Sequence, residues 1–198
     1  VGEGAVQANF RDVAESLGLE KAFSECPCRL EFLDELERLV KIRLATASRA
    51  NPSIAAYRDI LDYGYIVTVP RLKDHAQAGM SCCLKNQMGM IPRPERGRFH
   101  TESAGLLRPL LFPHSYPGLQ RSIAELNYAV RPDLCVVDAS TVIVRKGPWD
   151  AKSDDAREWR RIIVSNDPVA ADSYCYDLLS GAAEYGRPQP PYIRHADE

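Results

Sequence analysis

No apolar run in this 198-residue chain approaches the length of a membrane-spanning helix, so no membrane span is expected. No C-x-x-C pair occurs among the six cysteines, at positions 26, 28, 82, 83, 135 and 175. Tetrahedral zinc and ferredoxin-type iron–sulfur clusters therefore have no local sequence support. The Cys26-Pro27-Cys28 and Cys82-Cys83 pairs lie too close in sequence for an ordinary disulfide framework. Reduced cytosolic thiols are expected instead, several of them buried as small hydrophobes. Charge of neither sign dominates: 25 basic and 27 acidic residues leave a net charge of −2. A globally basic, nucleic-acid-binding surface is not expected on that balance. Internal repeats and low-complexity stretches are also missing. What is present is a globular composition, 45% hydrophobic and 26% charged, in a chain long enough to bury roughly 70% of its unfolded surface.

The apolar pattern predicts alternating elements. Val13, Leu17 and Phe23 fall at helix spacing over residues 10–23, with Gly18 dividing the segment into short turns. Leu30 to Leu44 fits a helix in its first half and a half-exposed strand in its second, and two strands are favoured. Ala45 to Ser53 reads as a loop and Tyr57 to Leu61 as a short helix. Tyr65-Ile66-Val67-Thr68-Val69 is the clearest strand, ended by Pro70. Gly118 to Val130 is an amphipathic helix with Leu119, Ile123, Leu126 and Val130 on one side. Leu134 to Val137 and Arg161 to Val164 are two more strands. Asp167 caps the next helix and Pro168 takes its first position. Near-continuous apolar strands alternating with helices predict an α/β fold: a mostly parallel central sheet with flanking helices, in three layers. The strands at 66–69, 134–137 and 162–164 are expected to be buried neighbours. The chain is read as one domain over 1–198, and its missing initiator Met and Pro-rich end read as those of a fragment.

Chemistry concentrates after the strand that Pro70 ends, where ligands bind in open α/β sheets. Residues 71–98 carry Arg71, Lys73, Lys85, Arg93, Arg96 and Arg98 against Asp74 and Glu95, a local +4 on a chain of net −2. Such a segment favours a small anion, carboxylate or phosphate, over a polyanion, although solvated basic loops are common. Lys85 stands among Cys82, Cys83, Leu84 and Met88. Buried there, its amine would have a lowered pKa and act as nucleophile or base; the plainer alternative is a lysine snorkelling to the surface. His75 and His100 bracket the segment as candidates for proton transfer or metal ligation. Asn86 would orient a ligand beside Lys73 and Arg93. Asp138, at a strand end, either lines the same cleft or begins a turn. Asp172 faces either the cleft or water.

These residues carry a resemblance. Asp62-Tyr63-Gly64-Tyr65-Ile66-Val67-Thr68-Val69-Pro70-Arg71-Leu72-Lys73-Asp74-His75 resembles the first signature block of the DUF362 family. Leu84-Lys85-Asn86-Gln87-Met88-Gly89 resembles its second, followed by a histidine at His100. Pro132 to Asp138 and Ser165 to Asp172 resemble two further blocks, and Lys146-Gly147-Pro148 resembles a turn of the family. The resemblance implies a prokaryotic α/β protein, and relatives with fused ferredoxin modules imply redox chemistry or an iron–sulfur redox partner. This chain lacks that module's cysteines, and also the family's first strand and part of its C-terminus. Some relatives carry twin-arginine export signals, so a cytoplasmic location is expected with export by a removed signal left open. The spacing His75-x9-Lys85-x14-His100 is similar to the catalytic loop of the lactate racemase family. That similarity implies a nickel-pincer cofactor tethered by Lys85, with His75 as acid/base and His100 as nickel ligand.

The expectation is thus an enzyme of redox or hydride/proton-transfer type acting on a small anionic molecule. Its catalytic residues would be His75, Lys85 and His100, and its binding residues Lys73, Asn86, Arg93 and Asp138. A non-catalytic accessory domain binding an anion or a redox partner is the alternative.

Overall fold

The computed structural model describes residues 2–3, 10–43, 53–101, 117–147 and 150–197. In chain order the strands are β1 (Gly2–Glu3), β2 (Glu31–Phe32), β3 (Leu39–Arg43), β4 (Ser53–Tyr57), β5 (Val67–Thr68), β6 (Arg71–His75), β7 (Gly79–Ser81), β8 (Leu134–Ile143) and β9 (Ala156–Ser165). The helices are α1 (Phe10–Ser16), α2 (Leu19–Ser24), α3 (Arg58–Leu61), α4 (Cys83–Asn86), α5 (Arg93–Thr101), α6 (Pro117–Ala129), α7 (Pro168–Ser180) and α8 (Pro191–Asp197). The chain forms two compact units, one from Val1–Tyr63 with Met88–Arg98, the other from Gly64–Gln87 with Phe99–Glu198.

In the first unit Gly18 breaks the amphipathic run into α1 and α2 by taking a left-handed φ of 65°, a conformation that costs glycine little. The favoured two strands in the 30–44 region are β2 and β3. β3 pairs antiparallel with β4 from Leu39↔Tyr57 to Arg43↔Ser53. The loop expected over 45–53 lies outside the described residues but for Ser53, which opens β4. Leu33, Ile54, Ala56, Tyr57 and Ile60 are buried. Arg96 is 1% exposed and pairs with Asp34, which also accepts the Tyr57 hydroxyl at 2.9 Å. Burial, and then that hydrogen bond, push the Tyr57 hydroxyl above its ordinary pKa.

The second unit is the α/β body, a central sheet flanked by helices. β8 is its long middle strand. β5 and β6 run parallel to β8, β9 runs antiparallel to it, and β7 pairs antiparallel with β6. Cys135, Val137 and Ala139 alternate into the core along β8, and the alternation changes phase before Val142. The phase change sits at a bulge: between the pairs Ala139↔Arg161 and Thr141↔Glu158, β9 sets two residues, Trp159 and Arg160, against one of β8, Ser140. Arg160 takes the extra place with φ 52°. α7 packs on β8 and β9, α4 packs on α6 and α7, and α8 packs on α6. Leu119, Ile123, Leu126 and Val130 form the buried stripe of α6, as their spacing predicts. Asp167 caps α7 by accepting from the Val169 and Ala170 amides at 2.8 and 3.2 Å, with Pro168 at the first helical position.

One strand expectation is corrected. Ile162 to Val164 lie on a strand antiparallel to β8, and Ile162 and Val164 are exposed. Among the described residues, the connection from β8 to β9 carries a short 3-10 turn, Ser153–Asp155, and no α-helix of the kind that usually makes a parallel crossover. Val67 and Val69 are exposed as well, while Thr68 between them is buried. These apolar runs face the helices with one side only.

Candidate functional site

Most of the residues singled out from sequence have a definite place. His75 ends β6 and is buried, and its Nδ1 accepts from the Gln77 and Ala78 amides at 3.2 and 3.1 Å. That geometry fixes the neutral tautomer with its hydrogen on Nε2, and it makes the ring a brace for the β6–β7 turn. Lys73 lies two residues earlier, half-buried, opposite Ser81 of β7. Lys85 is half-buried on α4. Asn86 is exposed and donates to the Thr68 hydroxyl at 2.9 Å, tying α4 to β5. Asp138 accepts from the Ser140 hydroxyl at 2.6 Å and amide at 2.9 Å, and from Arg71 at 3.3 Å. The Ser140 hydroxyl, foremost, holds its carboxyl below the usual carboxylate range. Arg93 is exposed on α5, in the first unit. The side chains of Arg98 and His100 lie outside the described residues.

Not all of the +4 segment is open charge. Arg71 is paired with Asp138 and Arg96 with Asp34, and the segment is divided between the two units.

The turn at Lys146-Gly147 closes on β6. The Gly147 amide donates to Asp74 at 3.0 Å, and its carbonyl accepts from the Ala76 amide at 2.9 Å. A Cβ on Gly147 would stand 2.3 Å from the Asp74 carbonyl oxygen, which only glycine avoids. Asp74 is fully buried and also takes the guanidinium of Arg187.

Two features were not read from the sequence. The first is a cleft of about 390 Å³ in the second unit, walled by Leu84, Asn127, Tyr128, Arg131, Asp197 and the start of α7. Arg131 is exposed there and has no ion pair among the described residues. Asn127 is buried and gives both amide hydrogens to backbone, at the Leu84 and Ile123 carbonyls, 2.8 and 2.7 Å away. Its Oδ1 is left without a hydrogen-bond donor. None of Lys73, His75, Lys85, Asn86, Arg93 and Asp138 lines this cleft.

The second is a buried thiol cluster. Cys82 and Cys83 enter α4, Cys135 points inward from β8, and Cys175 lies one turn beyond Asp172 on α7. All five side chains are 0% exposed. The Cys82 and Cys83 sulfurs are 3.9 Å apart. Cys83 stands against Cys135 and Cys82 against Cys175. Asp172, expected at the cleft or in water, is in the core and accepts from the Cys83 and Leu84 amides at 2.8 and 3.3 Å. Hydrogen bonds from Cys135 and then Cys82 draw the Cys83 thiol down to about 5. Burial pushes Cys82 up, and burial and then the Cys83 charge push the Asp172 carboxyl up. The cluster therefore carries one negative charge far more readily than two. The sequence signals were the unusual adjacency of two cysteines and the i, i+3 spacing of Asp172 and Cys175.

Among the described residues no helix is long and apolar enough to cross a membrane. Comparison with known proteins finds similarity to a thylakoid-associated protein of Synechocystis sp., 26% identical over 137 residues. The match covers 69% of this chain and 39% of that relative, so the chain spans well under half its length. The DUF362 model, a domain of unknown function, matches residues 1–177, and the chain therefore belongs to the DUF362 family.

Proposed function

We propose that this chain is the substrate-binding body of an enzyme of redox or proton-transfer type, and that a small anionic molecule sits in the cleft between α6, α7 and α8. The observation that carries the reading is the exposed Arg131, without an ion pair among the described residues, in a concave cleft that Asn127 also lines. An arginine in a concave site meets a carboxylate or phosphate with parallel hydrogen bonds. Asp167 lines the same cleft, but its charge is engaged with the start of α7. Asp197 adds a second acceptor, so the molecule would carry a hydrogen-bond donor as well as its anionic group. The redox character rests on the family resemblance.

A calorimetric screen of small carboxylates and phosphates, with and without amino or hydroxyl groups, tests the proposal. Saturable binding that R131Q weakens about tenfold or more is expected for a charge-assisted pair. Binding unchanged in R131Q, or no response beyond ionic strength, would refute it. One observation favours the non-catalytic reading: the Nδ1 of His75, the leading acid/base candidate, is committed to two backbone amides. A chain that binds its anion but shows no turnover with its redox partner would be an accessory domain.

A further inference from the structure

We infer that Cys82, Cys83 and Asp172, completed by Cys135 or Cys175, form a closed binding site for one thiophilic metal ion of the zinc class. The inference is independent of the anion cleft. Three observations carry it.

The first is geometry. The potential ligand atoms of Cys82, Cys83 and Asp172 all lie within 4.8 Å of one another. With zinc–sulfur bonds of about 2.3 Å, two sulfurs on a tetrahedral ion stand roughly 3.8 Å apart. The Cys82 and Cys83 sulfurs are 3.9 Å apart. Adjacent residues reach this arrangement because Cys82 is extended, with φ −151° and ψ −148°, while Cys83 begins the helix. The second is ligand supply: Cys135 interacts with Cys83 and Cys175 with Cys82, both fully buried, and these two thiols are the candidates for the fourth corner.

The third is charge. Asp172 is wholly buried, and no cation pairs with it among the described residues; it is surrounded by two backbone amides and the neighbouring thiols. Buried carboxylates are ordinarily paired with a cation or bound to a metal. A divalent ion at the centre of the cluster would supply the cation that lets Asp172 ionise and coordinate. The donor set, sulfur with one carboxylate and no imidazole, suits a soft or borderline ion over magnesium or calcium. Binding transfers the protons of the coordinating thiols to solvent, so uptake is proton-coupled.

The test uses the full chain in a C26S/C28S background, which removes the two exposed cysteines, reduced and stripped of metal. Cobalt(II) is titrated in and followed by its thiolate charge-transfer band and its visible absorption, and zinc is then added. One cobalt per chain with a tetrahedral spectrum, displaced stoichiometrically by zinc, is the expected result. D172N should weaken uptake by about ten- to a hundredfold, and C82S/C83S should abolish it. Urea midpoints establish that the variants fold. If C82S/C83S does not fold, C135S and C175S take its place, and at least one of them should weaken binding or shift the cobalt spectrum. No saturable uptake by the folded, reduced chain would overturn the inference. So would an octahedral spectrum, or equal affinity in the cysteine variants that fold. Isolation without metal, lighter by two hydrogens with a Cys82–Cys175 or Cys83–Cys135 disulfide that reforms in the presence of zinc, would overturn it too.

Discussion

Replacing Arg187 with methionine probes a fully buried carboxylate and its ion pair in the second unit. Asp74 is 0% exposed, and Arg187 is its only cationic partner among the described residues. The guanidinium Nη2 donates to Asp74 Oδ2 at 3.2 Å, Nε donates to Oδ1, and the Gly147 amide donates to Oδ2 at 3.0 Å. R187M keeps the apolar stem and removes the charge. The carboxylate then retains one amide hydrogen bond in a site closed to water. Breaking a buried pair from one side costs about 3–5 kcal/mol. For a chain of this length that corresponds to a melting temperature lower by roughly 6–20 °C. The only two tryptophans, Trp149 and Trp159, fall within Phe99–Glu198 of the second unit, so urea unfolding followed by fluorescence reads the unit that contains the pair. D74N/R187M removes the orphaned charge and should be more stable than R187M alone. The coupling between the two sites should be about 1–3 kcal/mol. An R187M variant within about 1 kcal/mol of wild type, or strictly additive single and double variants, would refute the assignment of this pair as an anchor.

H75A should lose about 1–3 kcal/mol, because the Gln77 and Ala78 amides lose their acceptor. H75N should recover most of it by placing Oδ1 near the position of Nδ1; hydrogen exchange at the Ala78 amide checks both, and equal losses would show that the acceptor is not what matters. Asp138 has a folded pKa below its unfolded value, chiefly through the Ser140 hydroxyl. Its contribution is therefore present above the unfolded carboxylate pKa of about 3.9 and lost as pH falls through the folded value. S140A should flatten that acid limb of the urea-midpoint profile while leaving the neutral region nearly unchanged; an unaltered limb would exclude this hydrogen bond as the cause.

Local signals in the sequence were strong where one residue type has one structural use. Asp167-Pro168 marked a helix start and Gly18 a break, and both are as written. The stripe Leu119, Ile123, Leu126 and Val130 identified α6 and its buried side. Strand direction was less legible. Ile162-Ile163-Val164 looks like a strand covered on both faces, yet it runs antiparallel to β8 with Ile162 and Val164 exposed, and apolar content reports neither direction nor edge position. The thiol cluster was hidden for a different reason. Its ligands come from three elements far apart in the chain, so no spacing rule relates Cys83 to Cys135 or Cys175. The loop from His75 to Lys85 was prominent as sequence, and in space its histidine is a turn brace. Chemical residue types at a strand end carry an expectation of function, but the hydrogen bonds each one makes decide what it can do.

The bulge at Arg160 has a consequence beyond the core. β9 pairs with β8 on one side only among the described residues, and its other margin is ten residues long. An open strand margin of that length, with exposed Ile162 and Val164, is the kind of template on which other chains add strands and grow aggregates. Arg160 interrupts it mid-length with a residue whose left-handed backbone cannot continue a flat ladder. Glu158, Arg160 and Arg161 place charge on either side of the interruption. An incoming strand would lose its hydrogen-bond register and meet guanidinium groups at the same point. The irregularity that re-phases β8 toward the helices thereby also guards the chain against self-templated assembly while it is being made.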